Sequence, residues 1–219
     1  MSPVLVRVPG VYRPQPDTRL LARAMTDAAL PPGARVLDAC TGTGALAIHA
    51  ARSGAAAVTA VDLSRAALAS AWFNSRLYGV RLELVCGDVT RVVEGRTFDV
   101  VVANPPYVPS ATHPPEVGPA RAWDAGWHGR HLLDPLCEMM PHLLRSGGTT
   151  LIVHSAVSGI AATLTRLRAG GLKATVVART VVPFGPVMRS RVDWLRDRSL
   201  IQPEQEHEEL VVIRADRTR

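Results

Sequence analysis

The sequence predicts a doubly wound α/β fold, a seven-stranded sheet covered by helices on both faces. Three observations carry that expectation. Short β-branched runs alternate with alanine- and leucine-rich helical patterns along most of the chain. A glycine-bearing turn, Asp38-Ala39-Cys40-Thr41-Gly42-Thr43-Gly44, follows the first strand. Polar residues able to take a ligand stand at the ends of the first four strands, where open α/β sheets place their chemistry.

The elements follow in order. After an extended opening, Thr18 to Leu30 reads as a helix, with Asp17 as its N-cap and Pro31-Pro32-Gly33 as its stop. Arg35 to Ala39 reads as a buried strand and Gly44 to Gly54 as a helix. Val58 to Val61 is the second strand; Ser64 then caps a helix that runs to about Tyr78 and breaks at Gly79. Leu82 to Cys86 and Phe98 to Ala103 are the third and fourth strands, and a Pro-rich loop fills Val108 to His128. A helix is expected from about Gly129 to Leu144, a fifth strand over Thr149 to His154 and a helix over Ala156 to Ala169. Ala174 to Val182 and Glu209 to Arg214 complete the sheet, and right-handed crossovers wind it in both directions.

Composition sets modest bounds. The 219 residues, 47% hydrophobic and 20% charged, suit one domain with a short extension. The net charge of +6 permits a polyanionic partner such as RNA, but the base is almost all arginine, with Lys173 the single lysine, and no basic run marks a phosphate-binding arm. Cys40, Cys86 and Cys137 match neither a disulfide framework nor a zinc site, and no signal peptide or membrane-length apolar run is visible, so a reduced cytoplasmic protein is expected. His113, His128 and His131 fit no zinc spacing, and no metal is expected. Arg189, Arg191, Arg196 and Arg198, with Trp194 among them, read as a solvated amphipathic helix paired with Asp193 and Asp197 rather than an RNA-binding stripe.

The glycine turn alone would serve a dinucleotide as readily as any other nucleotide-like cofactor. The strand-end carboxylates separate the two. Asp38 can attract an amino-acid ammonium, Asp62 can accept both ribose hydroxyls, and Asp88 can accept an adenine amino group. Three carboxylates in series would repel a pyrophosphate and suit the cationic sulfonium of S-adenosylmethionine. At the next strand end stands Asn104-Pro105-Pro106-Tyr107. The Asn104 side-chain oxygen and the Pro105 carbonyl, fixed in direction by two prolines, make a pair of acceptors for one planar NH2 group, and Tyr107 offers a flat face for it.

With these residues in view, the chain resembles the class I S-adenosylmethionine-dependent methyltransferases of the HemK/PrmC type, which methylate protein glutamine, from Gly10 to about Arg214. Val11-Tyr12-Arg13-Pro14-Gln15-Pro16-Asp17-Thr18 is similar to the Tyr-x-Pro-x-x-Asp-Thr stretch of the short eukaryotic and archaeal branch, and Ala122 to Gly129 resembles its Ala-x-x-Gly-Gly-x-x-Gly loop. Cys40 stands where the family has its first motif glycine, and Trp127 where the loop has its second. The resemblance implies a Rossmann-like sheet whose last strand runs antiparallel, with residues 1–33 as an extension and helix packed on a methyltransferase domain of residues 34–219. It implies Asn104, Pro105, Pro106 and Tyr107 as catalytic residues, and Thr18, Asp38, Cys40, Thr41, Gly42, Thr43, Gly44, Asp62, Leu63, Gly87, Asp88, Val89 and Asn104 as the cofactor site. It also implies a protein substrate, a translation release factor foremost, and a small activating subunit as in the short branch. The alternatives are an exocyclic amine of RNA or DNA, a small molecule or peptide, and a non-catalytic scaffold, the last disfavoured by the intact Asn104 to Tyr107 motif.

Overall fold

The computed structural model describes residues 5–115 and 118–218. Residues 1–4 of the predicted extension and residues 116–117 of the predicted Pro-rich loop lie outside the described residues. Seven strands form one sheet: β1 (Arg35–Asp38), β2 (Ala57–Asp62), β3 (Glu83–Cys86), β4 (Phe98–Ala103), β5 (Leu144–Ser155), β6 (Lys173–Pro183) and β7 (His207–Asp216). Their spatial order is β3-β2-β1-β4-β5-β7-β6. β7 is antiparallel to both of its neighbours, whereas β1 to β5 pair in parallel. The order reverses between β1 and β4, which opens a crevice at the carboxyl edge there.

The period of two along the buried strands divides the core. Leu37, Val101, Ala103, Ile152, Val211 and Ile213 face one layer; Val36, Val100, Val102, Leu151, Val153 and Val212 face the other. The first layer is closed by α5 (Leu133–Leu143) and α6 (Ile160–Ala169), the second by α1 (Pro16–Asp27) and α2 (Ala45–Arg52), with α3 (Arg65–Leu77) beside α2. The helix predicted over Ala156 to Ala169 is broken at Gly159, whose φ of 82° lies in the left-handed region, so a short 3-10 turn precedes α6. The Asp88 carboxylate caps a single helical turn, α4 (Val89–Val92), too short to leave a periodic signal.

α1 begins two residues earlier than expected, with Gln15 at its N-cap, and Asp17 lies inside the first turn. The helix is built into the core, since Leu21 and Met25 are fully buried among sheet residues. The chain before it is tied down as well: the buried Asn74 exchanges two hydrogen bonds with the Val6 backbone and donates a third to the Thr43 carbonyl. Leu21→Ala should therefore cost about 2–5 kcal/mol in denaturant unfolding, as full core truncations do. A loss below about 1 kcal/mol would mark the helix as an appendage.

The basic segment forms two short helices, α7 (Pro186–Arg189) and α8 (Val192–Asp197), around a small cluster of Phe184, Met188, Leu195 and Ile201. Three of its arginines are engaged locally. Arg191 pairs with Asp124 at 2.6 Å and donates to the Pro109 carbonyl, Arg196 reaches Asp193 at 3.6 Å, and Arg198 stacks over Trp127 at 4.3 Å. The segment thus braces the 108–128 stretch, which is less loop-like than expected. Across it the Val108 amide donates to the Trp123 carbonyl and the Val108 carbonyl accepts from the Ala125 amide, and Pro119–Ala122 forms a 3-10 turn.

Candidate active site

The carboxyl ends of β3, β2, β1 and β4 meet one cavity of about 740 Å³, within the size range of small-molecule sites. Of the residues expected to act, Cys40, Gly42, Asp62, Leu63, Gly87, Asp88, Val89, Asn104, Pro105, Pro106 and Tyr107 line it. Thr18, Asp38, Thr41, Thr43 and Gly44 are not among its lining residues. The lining carries five carboxylates, Asp17, Asp62, Asp88, Asp124 and Glu208, against one arginine, Arg121. An acidic cavity in a chain of net charge +6 selects for a cation and against phosphate.

The three strand-end carboxylates have structural partners. Asp62 accepts from the Gly42 and Ser64 amides at 2.9 and 2.8 Å, which fixes the glycine turn against the end of β2. Burial pushes its pKa up, against the bonds from the Ser64 and Gly42 amides and the Arg121 charge. Asp88 accepts from Thr90 through one oxygen as a helix cap, leaving the other oxygen for a ligand. Asp38 accepts from the Thr41 hydroxyl and the Ala47 amide through Oδ2, while its buried Oδ1 takes no hydrogen bond among the described residues. Asp38, Asp62 and Asp88 all act on the Cys40 thiol. Burial first, then these three charges, push it well above its ordinary value, so Cys40 is a protonated wall residue rather than a nucleophile.

Burial also pushes the Asp38 carboxyl up, to about 7, against the bonds from Thr41 and Ala47. A raised acid binds its proton more tightly folded than unfolded. Its contribution to stability is therefore full below about pH 4 and is lost as pH rises through about 7. Denaturant unfolding along that pH range should show a decline on the order of 4 kcal/mol that Asp38→Asn removes. The same slope in both proteins would contradict the assignment.

Asn104-Pro105-Pro106-Tyr107 is gripped from two sides. Its side chains reach α1: the Asn104 amide nitrogen donates to Thr18 Oγ1 at 3.3 Å, and the Tyr107 hydroxyl donates to Asp17 Oδ2 at 3.0 Å. Its backbone is held from the far side, where the Ser158 hydroxyl donates to the Tyr107 carbonyl at 2.7 Å and Gly129 packs directly on that carbonyl. Desolvation and the Asp17 charge keep the Tyr107 phenol protonated.

Sequence reasoning missed Asp17. It is 2% exposed and accepts four hydrogen bonds: from Tyr12 at 2.6 Å, from Tyr107, and from the Thr18 amide and hydroxyl. A lone Asp before a helix reads as a cap; the signal that could have found the hub is Tyr12 and Thr18 flanking it in one short stretch. Glu208 was also missed. It is 8% exposed, lines the cavity near Asp17, and its Oε2 has no partner among the described residues. Among the described residues no three His, Cys, Asp or Glu side chains gather as metal ligands would, and no helix is long and apolar enough to cross a membrane.

The methyltransferase small domain family matches residues 5–120. A Methanocaldococcus jannaschii chain provisionally named a protein N5-glutamine methyltransferase is 33% identical over 82% of this chain and 90% of its own length. The release factor glutamine methyltransferase of Mycolicibacterium smegmatis is 37% identical over 67% of this chain. That match covers 54% of the mycobacterial enzyme, so the chain spans about half the length of such relatives. Among solved structures, the E. cuniculi Mtq2–Trm112 complex, responsible for methylation of the eRF1 translation termination factor, aligns with a TM-score of 0.65. It covers 95% of this chain and 99% of the other at 22% identity, a likeness that bears on the fold alone.

Proposed function

Since the chain belongs to the methyltransferase small domain family, in its HemK-type glutamine methyltransferase branch, and is an S-adenosylmethionine-dependent N-methyltransferase, we propose that its acceptor is a glutamine side-chain amide of a translation release factor. The observation that carries the proposal is that Asp62, Asp88 and the Asn104 to Tyr107 grip open into one acidic cavity. Asp62 and Asp88 would hold the ribose and adenine, and Asp38, buried behind the turn, would support the ammonium end by shaping the turn through its bonds to Thr41 and Ala47. Once bound, S-adenosylmethionine supplies a methyl group made electrophilic by its sulfonium charge.

The chain's own residues act on the acceptor. An amide nitrogen is a poor nucleophile because its lone pair is delocalised, so binding must position it and favour its rehybridisation. The side-chain oxygen of Asn104 and the carbonyl of Pro105 accept the two amide N–H groups, fixing the nitrogen so that its lone pair, normal to the amide plane, points at the methyl group. As the nitrogen takes the methyl group it gains positive charge, which these two fixed oxygens stabilise until one of its two N–H protons is lost to solvent. Tyr107, its ring tethered through the Asp17 bond, packs on the amide. No covalent nucleophile takes part.

The same grip would accept an exocyclic amine of a nucleobase, yet a polyanion approaching this lining would meet more carboxylates than cations. A small activating subunit belongs to the proposal too, and exposed Trp72, Phe73 and Leu77 on α3 offer it an apolar face. Work on the translation machinery would place the chain in the cytoplasm, where Cys40, Cys86 and Cys137 remain free thiols. The test is transfer of label from S-adenosylmethionine by the purified protein, alone and with a small zinc-binding subunit. The acceptors are a release factor, the same factor with its Gly-Gly-Gln glutamine replaced, and total RNA. Label on the unaltered factor alone is expected; label on RNA alone would overturn the assignment.

A further inference from the structure

We propose that Asp17 and Thr18 are positioning residues that set the polarity of Asn104, so that its oxygen rather than its nitrogen meets the acceptor amide. The inference rests on the reading of Asn104 as an acceptor, and it follows from counting protons along the chain of bonds. Carboxylate oxygens only accept. Tyr12 and Tyr107 donate to its Oδ2 at 2.6 and 3.0 Å, and the Thr18 amide and hydroxyl donate to its Oδ1 at 2.5 and 3.0 Å. Thr18 has a single hydroxyl proton, and Asp17 takes it. Thr18 Oγ1 is left as an acceptor toward Asn104, which must present its NH2 there, at 3.3 Å. The Asn104 oxygen is thereby turned toward the cavity it lines. A side-chain amide rotated by half a turn would offer N–H to N–H, and the acceptor would lose one of its two hydrogen bonds.

Thr18 thus has a task other than cofactor contact. It is 7% exposed and is not among the residues lining the cavity, but lies within reach of Asn104. Three residues of the Tyr12 to Thr18 stretch share that task, with Tyr12 saturating the carboxylate that orients Thr18.

Two nearly isosteric variants separate the task from a general loss of structure. Asp17→Asn keeps an oxygen for the tyrosines but turns an NH2 toward Thr18, which reverses the chain of bonds. Thr18→Val deletes the relay. Both should lower kcat by at least about tenfold, the scale of a lost hydrogen bond to a charged group, with cofactor Kd by calorimetry within about twofold of the parent. Thr18→Ser, which keeps the hydroxyl, should recover most of the turnover lost in Thr18→Val. By NMR, the side-chain NH2 protons of Asn104 should show a nuclear Overhauser contact to the Thr18 methyl group that Asp17→Asn abolishes. The inference is overturned if both variants turn over like the parent while Asn104→Ala is inactive, or if Thr18→Val weakens cofactor binding and leaves kcat unchanged. An active Asn104→Ala would instead overturn the underlying reading of Asn104.

Discussion

Asn104→Ala is expected to lower kcat roughly 100- to 1000-fold, the loss seen when one preorganised polar group is removed from a charge-developing centre. Cofactor affinity should stay within about twofold, because the carboxylates assigned to the cofactor do not bond to Asn104. The residue stands at the carboxyl end of β4, next to the point where the strand order reverses, so it faces the crevice without supporting the core. Its one side-chain bond among the described residues, to Thr18, is weak by length, and its loss alone should lower thermal stability only slightly. Rapid-quench measurement of a single turnover, beside calorimetry with the cofactor, separates chemistry from binding. A variant that kept full turnover would refute the pair of acceptors.

The second large effect falls on a residue that need not touch the substrate. Gly129 has a φ of 68° and packs against the tetrapeptide, where an added Cβ would overlap the Tyr107 carbonyl oxygen and meet the Ser158 hydroxyl at 2.8 Å. Neither neighbour is the free end of a flexible chain. The first is backbone, and the second is bonded to that same oxygen. Gly129→Ala should therefore displace Tyr107 and the acceptor carbonyl of Pro105 with it. A misplacement of about 1 Å costs on the order of a hundredfold in kcat/KM, and the left-handed backbone adds about 1–3 kcal/mol of instability. Steady-state kinetics on protein shown to be folded by circular dichroism would check it. Activity close to that of the parent would mean that the tetrapeptide is not held from this side.

Most of the scaffold was legible because its signals are local. Val100-Val101-Val102 alternates between two buried layers, Ser64 caps α3 by accepting from the Ala67 amide, and Gly79 ends that helix with a φ of 64°. The strand-end aspartates were legible for the same reason, since the end of a β-branched run marks a place in space. The four acceptor bonds of Asp17 were not, because two of their donors, Tyr12 and Tyr107, lie 5 and 90 residues away along the chain. Gly129 lies 22 positions from the carbonyl it must clear, and nothing in the sequence of the loop announces that approach. The arginines of the 189–198 segment were read as solvated, yet Arg191 holds the nearly buried Asp124, because the segment folds back over the loop that follows β4.

The central claim, that the Asn104 to Tyr107 grip presents a glutamine amide to the methyl donor, is tested most directly by identifying the methylated atom. Release factor incubated with the protein and S-adenosylmethionine would be digested and sequenced by tandem mass spectrometry. A single added methyl group on the side-chain nitrogen of the Gly-Gly-Gln glutamine, absent when Asn104→Ala replaces the parent, is the predicted result. A methyl group on any other residue, or an unmodified factor beside methylated RNA or small molecule in the same reaction, would contradict it.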